Sequence, residues 1–171
     1  MNEDGVWSKL VDEAYQRWQE GGDLHKLSYD QFLDHLDFVS RQAVLIGNLK
    51  GQVNNGGYQQ FICNGYALHA RQTRDILNEI GAEACLKVAK MLDEIIPYID
   101  FNTNDKGCFG SYFKKNVNED KLCDEGGLLD CLDDQFYGIG DIFKKEVEEY
   151  FQGLVKGNGS RCYWSSNSKS T

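Results

Sequence analysis

The segment Gln52-Val-Asn-Asn-Gly-Gly-Tyr-Gln-Gln-Phe-Ile-Cys-Asn64 interrupts a chain whose apolar residues otherwise follow helical spacing. Its adjacent glycines, Gly56 and Gly57, tolerate the positive φ angles that a continuous helix does not use. Asn54 and Asn55 precede them, and asparagine is a favoured cap for the unpaired amides at a helix start. We therefore predict that one helix ends near the glycines and that a short second helix begins after them.

The second half of this segment combines aromatic rings with amide side chains. Tyr58 and Phe61 are expected to turn inward, towards a core. Gln60 and Asn64 are four residues apart, so on a helix their amides point the same way. Because buried amides usually hold neighbouring backbone, the main hypothesis for this segment is a structural role, and a ligand-binding role is the alternative.

Helical periodicity continues on both sides of the segment. The apolar residues between Trp7 and Trp18 have the spacing of an amphipathic helix. Ser28 and Gln31 are typical of a capping box, and the apolar spacing after them predicts one long helix to about residue 50. Further helices are predicted over residues 66–80, 82–96, 128–137 and 140–155.

These patterns predict an all-α fold, with a single compact domain of about six or seven helices over residues 1–156. Residues 100–126 show no clear period and are predicted to form an irregular loop insertion. Residues 157–171 are polar, so we expect a flexible tail there.

The charge of the chain is concentrated in one region. There are 18 basic and 27 acidic residues, which gives a net charge of −9. Residues 93–149 alone hold 15 acidic and six basic residues, so this region accounts for the whole excess. Such a protein is not expected to bind nucleic acid or an anionic membrane directly, and a basic protein is the expected partner.

The sequence also points to a location in the cell. No apolar run approaches the roughly 18 residues that a membrane span requires. The start, Met1-Asn-Glu-Asp4, is acidic, whereas a signal peptide begins with basic residues. The six cysteines form no C-x-x-C pair, which favours reduced thiols. We therefore predict a cytoplasmic protein.

No pattern for catalysis or for a cofactor is found. His25, His35 and His69 have neither the mutual spacing of metal ligands nor a cysteine at ligand spacing. The chain lacks a G-x-S-x-G motif and a phosphate-binding loop. The prediction is a protein that is not an enzyme and that uses no metal and no cofactor.

Three motifs occur in order along the chain: Asn-Asn-Gly-Gly-aromatic-x-Gln-aromatic-x-x-Asn over 54–64, Ile80-Gly-Ala82, and Leu132-Asp-Asp-x-Phe-Tyr137. Together they resemble the DNA mimic protein C-terminal domain family, formerly a bacterial domain of unknown function, over about residues 30–155. The resemblance implies an all-helical fold. For the family's named member it implies an acidic surface that imitates duplex DNA and occupies a DNA-binding protein. The motif residues of the first string are Asn54, Asn55, Gly56, Gly57, Tyr58, Gln60, Phe61 and Asn64.

The predicted function is that of an acidic DNA mimic or decoy inhibitor, which occupies the basic nucleic-acid-binding surface of a partner protein. Carboxylates on two adjacent helices are needed to approach the charge density of DNA. The residues predicted to contact the partner are Asp130, Asp133, Asp134, Asp141, Glu146 and Glu149, with Asp30, Asp34 and Asp37 as a second group.

Two other classes of function stay open from the sequence. One is an immunity or anti-defence inhibitor that binds an enzyme or toxin by shape complementarity, with binding that tolerates salt. The other is a small-ligand-binding domain built around Asn55, Gln60 and Asn64, which would require a buried polar pocket in that region.

Overall fold

A computed structural model describes residues 5–20, 28–99, 101 and 127–158, and in these ranges the chain forms six α-helices. The predicted all-α, single-domain fold is confirmed. Two 3₁₀ turns, Tyr66–His69 and Ile96–Tyr98, flank helices four and five. The helices are α1 (Val6–Glu20), α2 (Tyr29–Asp34), α3 (Phe38–Cys63), α4 (Ala70–Ile80), α5 (Glu83–Ile95) and α6 (Leu128–Asn158).

The predicted break at the two glycines is confirmed as a sharp kink inside α3. Gly56 has φ −166° and ψ 30°, and Gly57 has φ 71° and ψ −176°, so the helical hydrogen bonds are interrupted there. The positive φ of Gly57 is accessible to glycine and disfavoured for other residues. A Cβ atom at Gly57 would also collide with the carboxylate of Asp133, so this position excludes a side chain for two reasons.

The long helix predicted from Ser28 to about residue 50 is wrong, because two helices occupy this region. The Ser28–Gln31 capping box is present, but α2 ends at Asp34 and α3 begins at Phe38. Asp37 is the N-cap of α3, and its Oδ1 accepts a hydrogen bond of 2.9 Å from the backbone N–H of Ser40. An aspartate at this position stabilises a new helix start, although the apolar spacing continues across the junction.

The two helices predicted over 128–137 and 140–155 are one continuous helix, α6. Gly138 and Gly140 lie inside it, and a glycine in a helix interior costs only about 1 kcal/mol. Burial of one apolar stripe outweighs that cost, because large side chains on both sides of the glycines are fully buried. The stripe consists of Leu132, Phe136, Phe143, Val147 and Phe151.

Helix α6 runs antiparallel to α3 and also packs on α1 and α5. Near its start, Tyr137 donates its hydroxyl hydrogen bond to the backbone oxygen of Val53 at 2.8 Å. Near its end, the Tyr150 hydroxyl is 3.1 Å from Oε1 of Gln42. The start of α6 therefore lies beside the end of α3, and the end of α6 lies beside the start of α3.

The predicted insertion over 100–126 lies outside the described residues apart from Phe101, and so does the predicted tail beyond Asn158. Cys85 and Cys131 are thiols that form no disulfide. No helix among the described residues is both long enough and apolar enough to cross a lipid bilayer.

Candidate functional site

Three carboxylates of α6 bind the amides at the starts of other helices. Asp133 Oδ1 accepts a hydrogen bond of 2.7 Å from the backbone N–H of Tyr58, just after the kink in α3. Glu146 Oε2 accepts one of 3.0 Å from the backbone N–H of Cys85, in the first turn of α5. Glu148 Oε2 accepts one of 3.0 Å from the N–H of Trp7, at the start of α1. One helix therefore supplies the caps for three others.

These caps explain why carboxylates flank the buried stripe of α6. The start of a helix carries unpaired N–H groups and a partial positive charge, and a carboxylate satisfies both. Two of the predicted partner-contacting residues, Asp133 and Glu146, therefore have a structural role. Glu148, which the sequence analysis did not select, shares it. No local signal identifies these caps, because each bond joins residues more than 60 positions apart.

The other predicted residues of α6 point to solvent. Asp130, Asp134, Asp141 and Glu149 are all exposed. Glu149 lies 3.8 Å from the ammonium group of Lys145, so part of its charge is compensated. Among the described residues, Asp130 and Asp134 form no ion pair, and the ion pair of α6 is the one between Lys145 and Glu149.

Three carboxylates lie close together at the beginning of α6, and we call Asp130, Asp133 and Asp134 the acidic patch. Burial raises the pKa of Asp133, the Tyr58 N–H lowers it, and the charges of Asp130 and Asp134 raise it further. The pKa of Tyr58 is raised mainly by burial, then by the charges of Asp133 and Glu94. The acids of the patch thus repel one another.

The charge density of this region can be compared with that of DNA. Each strand of duplex DNA carries one charge per about 3.4 Å of axis. Asp130, Asp133 and Asp134 place three carboxylates within about 6 Å of helix rise, which is a similar density. Farther along α6, Asp141 lies about 10 Å of rise from Asp134, and Glu146, Glu148 and Glu149 span about 4.5 Å, but Glu146 and Glu148 cap other helices. At the beginning of α6, the closely spaced carboxylates include two, Asp130 and Asp134, that cap no helix and are exposed.

The second predicted group lies on and after α2, and each of its members contacts a polar neighbour. Asp30 Oδ1 is 2.9 Å from Nε2 of His69, and Asp34 Oδ1 is 2.9 Å from Nη1 of Arg41. Burial raises the pKa of Asp37, but hydrogen bonds from Ser40 outweigh this and lower it overall.

The two predicted groups lie near opposite ends of α3. Asp34 contacts Arg41 at the beginning of that helix, and Asp133 contacts Tyr58 after the kink. Seventeen residues separate Arg41 from Tyr58, which corresponds to about 25 Å of helix rise. The second group is therefore not beside the acidic patch.

The Asn-Asn-Gly-Gly segment supplies the kink and an internal amide network. Asn55 donates to Oε1 of Gln60 at 3.1 Å, and Gln60 donates to Oε1 of Gln52 at 3.0 Å. Asn64 donates to the same Gln52 oxygen at 2.6 Å. The amides of Gln60 and Asn64 thus point the same way, as predicted, but they bind a side chain.

The prediction that Asn54 or Asn55 caps the helix after the glycines is wrong, because Asp133 provides that cap. Tyr58 and Phe61 are buried, as predicted.

The model of the family described as DMP19-like protein matches residues 34–154, well over half of the chain. The chain belongs to the DMP19-like protein family. No match is found among curated proteins or among solved structures.

The matched region of this DMP19-like protein begins at the end of α2 and includes most of α6. It therefore contains the kink at Gly57, the capping bond from Asp133 to Tyr58, and the whole acidic patch.

Proposed function

We propose that this DMP19-like protein is an acidic binding protein of the DNA-mimic type, which occupies the basic nucleic-acid-binding surface of a partner protein. The observation that carries the proposal is the acidic patch, where carboxylates are spaced as closely as DNA phosphates along one strand. Membership of the DMP19-like family supports the same function.

The mechanism is electrostatic. A protein that binds DNA presents Lys and Arg side chains in a groove or on a helix face, and these select a matching row of negative charges. The patch supplies such a row on a rigid helix, and Asp141 and Glu149 extend it along α6. The net charge of −9 raises the rate of encounter with a basic partner at low salt.

A second candidate is an inhibitor that recognises its target by shape. It is favoured by two large apolar side chains on the exposed side of α6. The Tyr137 side chain is 51% exposed and that of Ile142 is 57% exposed. Exposed aromatic and aliphatic side chains are typical anchors of protein interfaces, and binding through them is insensitive to salt.

Charge-reversal variants with a matched control distinguish the two candidates. The test protein is the triple variant Asp130→Lys, Asp134→Lys, Asp141→Lys, which leaves the Asp133 cap in place. The control reverses three exposed acids of α1: Asp12→Lys, Glu13→Lys and Glu20→Lys. Both variants have the same net charge, so a difference in the proteins that they capture shows that the location of the acidic residues matters for binding.

Each purified protein is immobilised and incubated with a lysate of its host, and captured proteins are eluted with duplex DNA or with salt. For the wild type and the α1 control, we expect capture of a protein that itself binds DNA and is released by both eluents. The α6 variant should not capture it. Capture that resists DNA and salt and depends on Tyr137 or Ile142 would favour the second candidate and contradict mimicry.

A further inference from the structure

One exposed face of α6 carries three acids and an aromatic residue in a single row. Asp130, Asp134, Tyr137 and Asp141 follow one another at intervals of four, three and four residues, which places them on the same face of the helix. All four side chains are exposed, and we call them the outer stripe. Residues three or four apart on a helix are neighbours. The Tyr137 ring therefore lies between the carboxylates of Asp134 and Asp141.

Two contacts restrain the ring of Tyr137, although the side chain is 51% exposed. Its hydroxyl donates a hydrogen bond of 2.8 Å to the backbone oxygen of Val53, which lies in α3 just before the kink. The ring of Phe136 packs edge-on against it, with 6.5 Å between the ring centroids. Because the hydroxyl proton is already used, the residue offers a partner mainly the surface of its ring.

The negative charge beside the ring is strongest on the side of Asp134. Neither Asp134 nor Asp130 forms an ion pair within the part of the chain that the structure describes. Asp141 has cations near it, because burial and the charge of Lys144 lower the pKa of Lys50 while the charge of Asp141 raises it. A cation that approaches Tyr137 is therefore attracted towards Asp134.

An exposed ring beside an unpaired carboxylate suits a guanidinium group better than an ammonium group. The flat face of a guanidinium stacks on an aromatic ring while its N–H edge donates to a carboxylate, so both contacts form at once. An ammonium group is compact and more strongly hydrated, so it gains less from covering a ring. The protein already shows the first kind of contact, since the Arg71 guanidinium lies 3.9 Å from the centroid of the Phe101 ring.

We infer that the outer stripe selects a partner protein that presents arginine, with a guanidinium group stacked on the Tyr137 ring and hydrogen-bonded to Asp134. This inference rests on the proposed function and names the side chain through which the partner is recognised. Phosphates of DNA are contacted by lysine and arginine alike, so a mimic that offers charge alone does not distinguish the two. Binding through the stripe also differs from recognition by shape, because the contact with Asp134 weakens as salt rises.

The test compares two peptides of equal length and charge, acetyl-(Arg-Gly)4-amide and acetyl-(Lys-Gly)4-amide. Each is titrated into the purified protein at low salt, and binding is followed by NMR chemical shifts. Either peptide, at about 27 Å when extended, is longer than the roughly 17 Å of helix rise from Asp130 to Asp141. We expect the arginine peptide to bind about two- to fivefold more tightly, which is the effect of one exposed cation–π contact, and to shift the ring resonances of Tyr137.

Variants of Tyr137 separate the effect of the ring from the effect of the charge. Tyr137→Leu removes the ring and keeps an apolar side chain, so it should bind the two peptides equally. Tyr137→Phe keeps the ring and should retain the preference for arginine. The control Phe38→Leu removes an exposed ring near the other end of α3, where Phe38 is 66% exposed, and should also retain the preference. Circular dichroism shows that each variant is folded. A preference for arginine that persists in folded Tyr137→Leu would contradict the assignment to this ring.

The same titrations show which of the two proposals fails. Equal affinity of the wild type for both peptides would overturn the selection of arginine. The proposed mimicry would survive that result if both affinities fall with salt and are lost in the triple variant Asp130→Lys, Asp134→Lys, Asp141→Lys. Peptide binding that is unchanged by salt and by the triple variant would contradict both proposals. Absence of saturable binding by either peptide would also overturn the selection of arginine, and elution of the captured partner by DNA would then decide the mimicry separately.

Discussion

Two replacements of Asp133 distinguish its hydrogen bond to the Tyr58 amide from its repulsion by neighbouring carboxylates. The carboxylate accepts the Tyr58 N–H at 2.7 Å and is half-buried. Asp133→Ala leaves that amide without a partner at a kink, and the loss of an N-cap costs about 1 kcal/mol, with a range of about 0.5–2. Asp133→Asn keeps an oxygen that accepts the same hydrogen bond and removes the repulsion from Asp130 and Asp134. We expect it to be as stable as the wild type or slightly more stable.

The assay is urea denaturation near pH 7, supported by thermal unfolding. For a chain of this size, 1 kcal/mol corresponds to about 2–4 °C in Tm. Asp134→Ala serves as the control, because this exposed neighbour caps no helix and its loss should change stability by less than about 0.5 kcal/mol. If Asp133→Ala is as stable as Asp134→Ala, or if Asp133→Asn loses as much stability as Asp133→Ala, the capping argument is refuted.

The pH dependence of the same pair has a defined sign. Burial, together with the charges of Asp130 and Asp134, raises the pKa of Asp133 in the folded state above its ordinary value of 3.8, so the folded protein binds this proton more tightly than the unfolded chain. Its contribution to stability is therefore fully present below about pH 3.8 and is lost as the pH rises through the folded-state pKa. The wild type should accordingly gain stability relative to Asp133→Asn on acidification, and a change in the opposite direction would contradict a pKa raised by burial and by the neighbouring charges.

Three further predictions concern the scaffold. Gly57→Ala should destabilise the fold by more than about 1 kcal/mol in urea denaturation, because the residue has φ 71° and its side chain would meet the capping carboxylate; an unchanged midpoint would show that the kink adapts. Glu148→Ala should cost about 1–2 kcal/mol and speed hydrogen exchange at the Trp7 amide, and unchanged exchange there would argue against this cap. Burial raises the pKa of Cys85 to about 12, so its alkylation near pH 8 should require unfolding, whereas exposed Cys131 should react in the native protein. Mass spectrometry measures alkylation at each site, and equal rates at the two cysteines would contradict this prediction.

Local features of the fold were predictable from the sequence. The Gly56-Gly57 pair identified the kink in α3, since a positive φ is a property of the residue itself. The Ser28–Gln31 capping box was equally visible. The junction at Asp37 was missed because the apolar spacing continues through it. The sequence did not show that α6 is one continuous helix, because Gly138 and Gly140 favour a helix end at that point. Packing of the apolar stripe against the rest of the fold keeps the helix intact there.

The sequence indicated which acidic residues belong to the candidate site, but not how each of them is oriented or what it contacts. The sequence shows Asp133 and Asp134 as equivalent neighbours, yet the first binds the Tyr58 amide and the second faces solvent. That difference arises from the packing of α6 on α3. Asp30 and Asp34 belong to the other end of α3, where Asp34 contacts Arg41.

The central claim is that the beginning of α6 competes with DNA for a basic protein. The most direct measurement is displacement of a fluorescent duplex from the captured DNA-binding partner, followed by anisotropy at several salt concentrations. The wild type and the α1 control are predicted to displace the duplex, with an affinity that falls steeply as salt rises. The variant Asp130→Lys, Asp134→Lys, Asp141→Lys is predicted not to displace it. Displacement by that variant at wild-type affinity, or binding of the wild type to the partner with the duplex still in place, would contradict the claim.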